Sequence, residues 1–293
     1  MTIKKYPSHF HTLRDAWVKR HKKIHKDLVD KHKASLRWMK DNSKQLIAGS
    51  AAGMLMLANP VSASTLAQNL LPPSPPVDEA GSHSTSSLVE ELKAILPLEV
   101  TELNAEQEAQ IATMFKSYFG MNAQAELYGK RLNRSYGFIG AEQHLARYEG
   151  DTMTTHFQNA DDVRFAASGM APGRGAWGYF AQSGVLTQED IEREKYYLAV
   201  QTFLAPGWDE NPNELYAFFK FRKMLVVNPE NGKAMVVVIG DAGPAPWTGK
   251  HLGGSPEVMS YLERQDGSAR GPVVYFFVDD PENTIPLGPI DIH

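Results

Sequence analysis

From Leu88 onward the apolar positions of the chain fall into two textures. Leu88 to about Leu96 and Asn104 to about Phe119 carry them at three- and four-residue spacing, the period of a helix with one buried face. In the second segment Ile111, Met114, Phe115 and Phe119 form the apolar stripe, with Glu and Gln opposite. Asn104 stands at the N-cap position, Glu106 and Glu108 lie in the first turn where the helix dipole favours acids, and Gly120 ends the run. Residues 123–136 fit either a β-hairpin or a broken helix.

Beyond about Phe165 short apolar runs are cut by Gly, Pro and Asn. Ala176 to Ala181, Tyr196 to Phe203, Lys223 to Val227, Ala234 to Ile239 and Val273 to Val278 read as strands. Asn231-Gly232 between two of them is a hairpin signal, and Thr187 followed by Gln188, Glu189 and Asp190 opens a short helix by the capping pattern. Pro206 to Phe221 reads as an aromatic loop. There is no internal repeat. The fold expected is α+β overall: a small, mainly helical segment over 88–165, then a mainly β C-terminal domain over 166–293, a small barrel with short inserted helices.

Charge adds an N-terminal region to this picture. Residues 1–63 carry a net charge of +9 and the rest −13, within a total of −4 over 293 residues. The basic charge is therefore concentrated outside the expected barrel. The acidic remainder argues against nucleic acid as a partner, because phosphate contacts need Lys and Arg. The basic stretch leads into an apolar run of 13 residues, Leu46 to Ala58, and then Pro60 and the small residues Val61 to Ser64. That order is the pattern of a signal peptide, and an uncleaved anchor is the alternative. Both place the C-terminal part outside the cytoplasm and limit membrane contact to the N-terminal segment. Residues 64–87 form a Pro/Ser-rich linker. The absence of cysteine excludes disulfides, thiolate metal sites and Cys nucleophiles.

Candidate chemistry concentrates around residues 227–262. Val227-Asn228-Pro229-Glu230-Asn231-Gly232-Lys233, the run Val236 to Ile239 followed by Gly240-Asp241-Ala242-Gly243-Pro244, then Gly249-Lys250 and Ser255-Pro256-Glu257-Val258 resemble the double-psi β-barrel of rare lipoprotein A. Related barrels include the expansins and the membrane-bound lytic transglycosylases. The family runs Asn-x-x-Asn-Gly-Lys, an apolar strand, Asp-x-Gly-Pro, Gly-Arg, then Asp-Leu-Ser and a short helix. The fit extends over about residues 170–280.

The resemblance implies a function on peptidoglycan or another cell-wall glycan. Cleavage of the lytic transglycosylase or hydrolase kind would use acid/base chemistry with no metal and no cofactor, and Asp241 would be the acid. Such an acid needs a partly apolar setting to hold its proton near neutral pH. Two family features are missing. No His stands in Tyr197 to Phe203, where the family has Ala-Ala-His, and Gly253-Gly254-Ser255 replaces Asp-Leu-Ser. The second acid is spread among Asp190, Glu192 and Glu194, which otherwise read as the solvated face of a helix. His251 is the candidate substitute for the imidazole. Trp247 and Trp208 are candidates for stacking on sugar rings, with Lys250 and Gln201 as further substrate contacts.

Two other functional classes compete with catalysis. One is a silent barrel that binds wall or protein. In that case Asp241 does turn chemistry only, accepting backbone N–H bonds beside Gly-Pro. The other is a zinc-dependent peptidoglycan peptidase built on His144, Asp151 and His156; the six residues between His144 and Asp151 resemble the spacing in half of the zinc site of D,D-peptidases, with no second half downstream.

Overall fold

The computed structural model describes residues 84–264 and 270–293. The expected signal or anchor, and the linker as far as residue 83, lie outside the described residues. The described helices and strands fall within one compact unit, Asp78–His293. Among the described residues no helix is long and apolar enough to cross a membrane.

Two helices lead. α1 (Thr85–Ile95) starts from a Ser84 cap, and α2 (Ala105–Phe119) starts from Asn104. Asn104 Oδ1 accepts from Gln107 N–H at 2.9 Å and the Gln107 side chain returns the bond to Asn104 N–H at 3.0 Å, a reciprocal capping box. Gly120 closes α2 at φ 66°, in the left-handed region. Asn104→Ala is expected to cost about 1 kcal/mol, within a range of roughly 0.5–2, read from urea unfolding. An unchanged midpoint would show that packing alone holds this end.

The short strands β1 (Ala123–Gln124), β2 (Glu126–Leu127) and β3 (Lys130–Arg131) come next. β2 and β3 form a hairpin around Tyr128-Gly129, both at positive φ, so the hairpin alternative is the one adopted. Next come β4 (Tyr136–Ala141), α3 (Gln188–Lys195), β5 (Tyr197–Val200) and α4 (Pro212–Phe219). The chain continues with β6 (Lys223–Val227), β7 (Ala234–Ala242), β8 (Leu252–Gly254), α5 (Pro256–Tyr261), β9 (Arg270–Val278) and β10 (Gly288–Ile290).

Six of these strands close on themselves in the order β4-β8-β5-β7-β6-β9 and back to β4. The β4–β8 and β5–β7 pairs are parallel and the other four antiparallel, so this is a closed, mixed six-stranded barrel. β1 and β10 are added outside it, on β9 and β7.

Alternation along the strands builds two cores. Val226, Met235, Val237, Ile239, Val273, Tyr275 and Phe277 belong to the cluster that also holds Leu198, Val200 and Leu252. Their neighbours Leu225, Val227, Val274, Phe276 and Val278 join a second cluster with Leu88, Leu92, Ile111, Phe115 and Phe119 of the two helices. β6 and β9 are thus buried on both faces, which is why they read as unbroken apolar runs.

Three expectations need correcting. The barrel does not begin at residue 166, because β4 at 136–141 pairs with both β8 and β9. The segment from Ala176 to Ala181 is not a strand. A Gly175–Gly178 bridge closes a turn there, and its apolar residues split between two clusters, Trp177 in one and Phe180 in another. The presumed aromatic loop contains α4, which has Pro212 in its first turn and buries Leu215, Phe218 and Phe219.

Candidate functional site

The structure divides the chemistry-bearing residues between two places, one at the end of β7 and one in a buried cluster beside α3.

At the end of β7 the parallel pairing with β5 is irregular. Leu198 pairs with Ile239 but Ala199 pairs with Asp241, so a bulge skips Gly240. Bulges of this kind re-aim the side chain that follows. Asp241 Oδ1 accepts from Ala176 N–H at 2.7 Å and Ala242 N–H at 2.8 Å. Ala176 is held in turn by the Tyr216 hydroxyl, which donates to its carbonyl at 2.6 Å. No hydrogen bond is made by Asp241 Oδ2 among the described residues. Burial raises the Asp241 pKa, the two backbone N–H bonds oppose this, and the charge of Glu142 raises it further, for a net upward shift.

The loops around Asp241 are stitched together by polar side chains. Gln201 is buried, and its Nε2 donates to the carbonyls of Pro244 at 3.0 Å and Lys250 at 3.2 Å. Lys250 Nζ donates to Ala141 O at 2.9 Å and pairs with Glu142 at 2.6 Å. Trp247, on the turn Pro246–Thr248, is 78% exposed, whereas Trp208 is partly buried against the barrel core. Of the proposed substrate contacts, Gln201 and Lys250 thus have loop-holding partners, and Trp247 presents an open ring.

His251 does not join Asp241. Its Nδ1 accepts from Phe138 N–H at 2.9 Å and its ring stacks on Phe138 at 5.8 Å. Burial, with a smaller effect from Arg134, lowers its pKa to about 4, so the imidazole is neutral at neutral pH.

Asp190 and Glu194 are also engaged elsewhere, and neither is solvated. Asp190 is the N3 residue of α3, and its Oδ2 accepts from Thr187 N–H at 3.0 Å and Thr187 Oγ1 at 2.7 Å. Glu194 is fully buried and accepts five donors. Oε1 takes His144 Nδ1 at 3.2 Å and Leu145 N–H at 3.1 Å; Oε2 takes Arg147 Nε and Nη2 at 3.0 and 2.8 Å and His156 Nε2 at 3.0 Å. The other ring nitrogen of His156 faces Asp151 Oδ2 at 2.8 Å.

With a carboxylate on each side, His156 is doubly protonated. Burial opposes its charge, but the bonds to Asp151 and Glu194 prevail and raise its pKa to about 9. Burial likewise opposes the Glu194 carboxylate; His144, His156 and Arg147 prevail and hold its pKa well below the usual range. Glu194 and Asp151 then balance Arg147 and His156 in charge.

His144, His156 and Glu194 bring their ligand atoms within 4.8 Å of one another, the dimensions of a metal cage. The donor set does not fit a cation. A metal-binding imidazole must present a lone pair, yet both His156 nitrogens donate to carboxylates, and the Arg147 guanidinium already occupies Glu194 Oε2. The positive charge of this cluster is supplied by Arg147 and the protonated His156.

Sequence reasoning missed Glu142 and Arg147. The available signal for Glu142 was the pair Gly253-Gly254, two neighbouring strand positions without side chains, which invites approach by another group. Arg147 carried no local signal.

Compared with known proteins, the chain matches no family model, and no curated protein counts as a relative.

Proposed function

We propose that this is an exported, envelope-associated protein whose barrel is of the double-psi type and acts on cell-wall glycan, with Asp241 as the acid. The observation that carries the reading is the state of that carboxyl. One oxygen is fixed by two backbone N–H groups, the other makes no hydrogen bond among the described residues, and burial raises the carboxyl's proton affinity. A general acid needs a fixed orientation, a proton retained toward neutral pH and a free oxygen to deliver it. The N-terminal signal pattern and the Asn-Gly, Asp-x-Gly-Pro resemblance supply the location and the substrate class. The closed mixed barrel is compatible with both.

A second reading is a module that binds wall glycan without cleaving it. It is favoured by the engagement of Asp190, Glu194 and His251 away from Asp241.

Stripped glycan strands incubated with the purified protein separate the two. Asn at position 241 keeps the acceptor for Ala176 and Ala242 but has no proton to give. Asp241→Asn is therefore expected to leave folding and co-sedimentation with the strands intact while release of soluble sugar falls by about 10²- to 10⁴-fold. Wild-type co-sedimentation without release would select the binding module. Neither binding nor release would sink the glycan reading altogether.

A further inference from the structure

We propose that Glu142 is the second carboxylate of the Asp241 site, delivered from the end of β4 into the space that a side chain at Gly253 would otherwise fill. The proposal rests on the glycan-cleaving reading of Asp241.

Strand register supplies the first argument. Ala199 of β5 lies opposite Asp241 of β7 on one side and Gly253 of β8 on the other, and Gly253 lies opposite Gly140 of β4. Residues directly opposite across neighbouring strands share a face. Asp241, Ala199 and Gly253 therefore form a row whose last two members are small or bare. Asp241 and residue 253 are two strand spacings apart, about 9–10 Å, room for a sugar linkage and an attacking hydroxyl between an acid and a base.

The second argument is steric. A Cβ on Gly253 would overlap the Glu142 side chain, its carboxyl carbon standing 2.6 Å away. Glycine at 253 is thus a condition for Glu142 to reach this place. The resemblance expected an acid at 253 itself, in the Asp-Leu-Ser step. Here the position carries no side chain, and the Glu142 carboxylate occupies that volume.

Position and charge supply the third. Lys250 pairs with Glu142 at 2.6 Å and also donates to Ala141 O, which holds the carboxylate in place. Glu142 and Asp241 are both half-buried, and the charge of Glu142 acts on Asp241. The roles are complementary. Asp241 gives its proton to the glycosidic oxygen as the C1–O bond breaks, and the attacking hydroxyl forms the new bond to C1. Glu142 takes that hydroxyl's proton. Asp241 ends as carboxylate and Glu142 as acid, and proton exchange with solvent resets both.

The test compares the wild-type full chain with Glu142→Gln and with the double variant Glu142→Gly/Gly253→Asp, on stripped glycan strands. Glu142→Gln is expected to lose about 100-fold or more in kcat with little change in KM. It also lowers the Asp241 titration midpoint in carboxyl-labelled NMR spectra, since the facing charge of Glu142 is removed while the Ala176 and Ala242 N–H bonds stay. The double variant, which returns the acid to β8, recovers most of the lost rate. Gly253→Asp alone, with Glu142 still in place, is expected to be destabilised by the overlap. A Glu142→Gln variant that works as well as wild type, or an unmoved Asp241 midpoint, overturns this inference alone. A wild type that releases nothing overturns it together with the acid role of Asp241.

Discussion

Glu194→Ala is expected to destabilise the protein by about 3–5 kcal/mol, roughly 6–20 °C in Tm. The carboxylate is the hub of the buried cluster, with five donors on its two oxygens. Deleting it strands the Arg147 guanidinium and the charged His156 away from water with only part of their partners. Arg147 keeps the His156 carbonyl at 2.7 Å, and His156 keeps Asp151. An uncompensated buried charge costs far more than a lost surface pair. Urea unfolding with fixed m-value measures the loss. A change below about 1 kcal/mol would mean that the cluster relaxes or hydrates freely. Glycan release is a useful second readout, because a hub that serves stability alone leaves the rate at low temperature close to wild type.

The same cluster sets a pH window. His156 binds its proton more tightly in the folded protein, with a pKa of about 9 against the ordinary 6.5. Its contribution is complete below about pH 6.5 and is lost as pH rises through about 9. Glu194 behaves in the opposite sense, since its folded pKa is depressed below the ordinary 4.5. Its contribution is complete above that value and fades as pH falls. These two groups together therefore contribute most between about pH 4.5 and 6.5 and less on either side; within that window the lowered pKa of His251, about 4, weakens stability as pH falls, and the raised pKa of Glu257, about 7, weakens it as pH rises. The part of the melting temperature's alkaline limb between about pH 7 and 9 belongs to His156: His156→Phe should flatten it whatever its effect on absolute stability. An alkaline limb that persists in this variant assigns the pH dependence to another group.

The elements that were legible in the sequence are those whose signals are local. The Asn104 cap, Gly120 and the Asn231-Gly232 turn declare themselves within a few residues, because capping and turn chemistry act at that range. β6, β7 and β9 were visible as apolar runs, although the runs did not show that the two helices cover their outer faces. Asp241 was legible as a residue worth testing from Gly-Asp-Ala-Gly-Pro, but the bulge that presents it depends on pairing with β5. α4 was obscured by Trp208, Pro206 and Gly207, which gave the segment the texture of a loop. Glu194 stood on a helix that reads as solvated, Gln188-Glu189-Asp190-Ile191-Glu192-Arg193-Glu194-Lys195. Its partners His144, Arg147 and His156 lie some 40 to 50 residues earlier in the chain, and no local pattern reports such a meeting. Glu142 was hidden for the related reason that its place is defined by an absence on another strand.

Closure of the barrel joins Ile139 to Gly271, positions nearly half the chain apart. Until β9 arrives, β4 and β6 are open edges with unpaired backbone groups, and the outer core has no Val274 or Phe276 to bury. Such distant pairing makes closure a late and slow event. This order makes the last two dozen residues decisive for quality control. A chain truncated before β9 would display two sticky edges and aggregate, rather than persist as a smaller working domain.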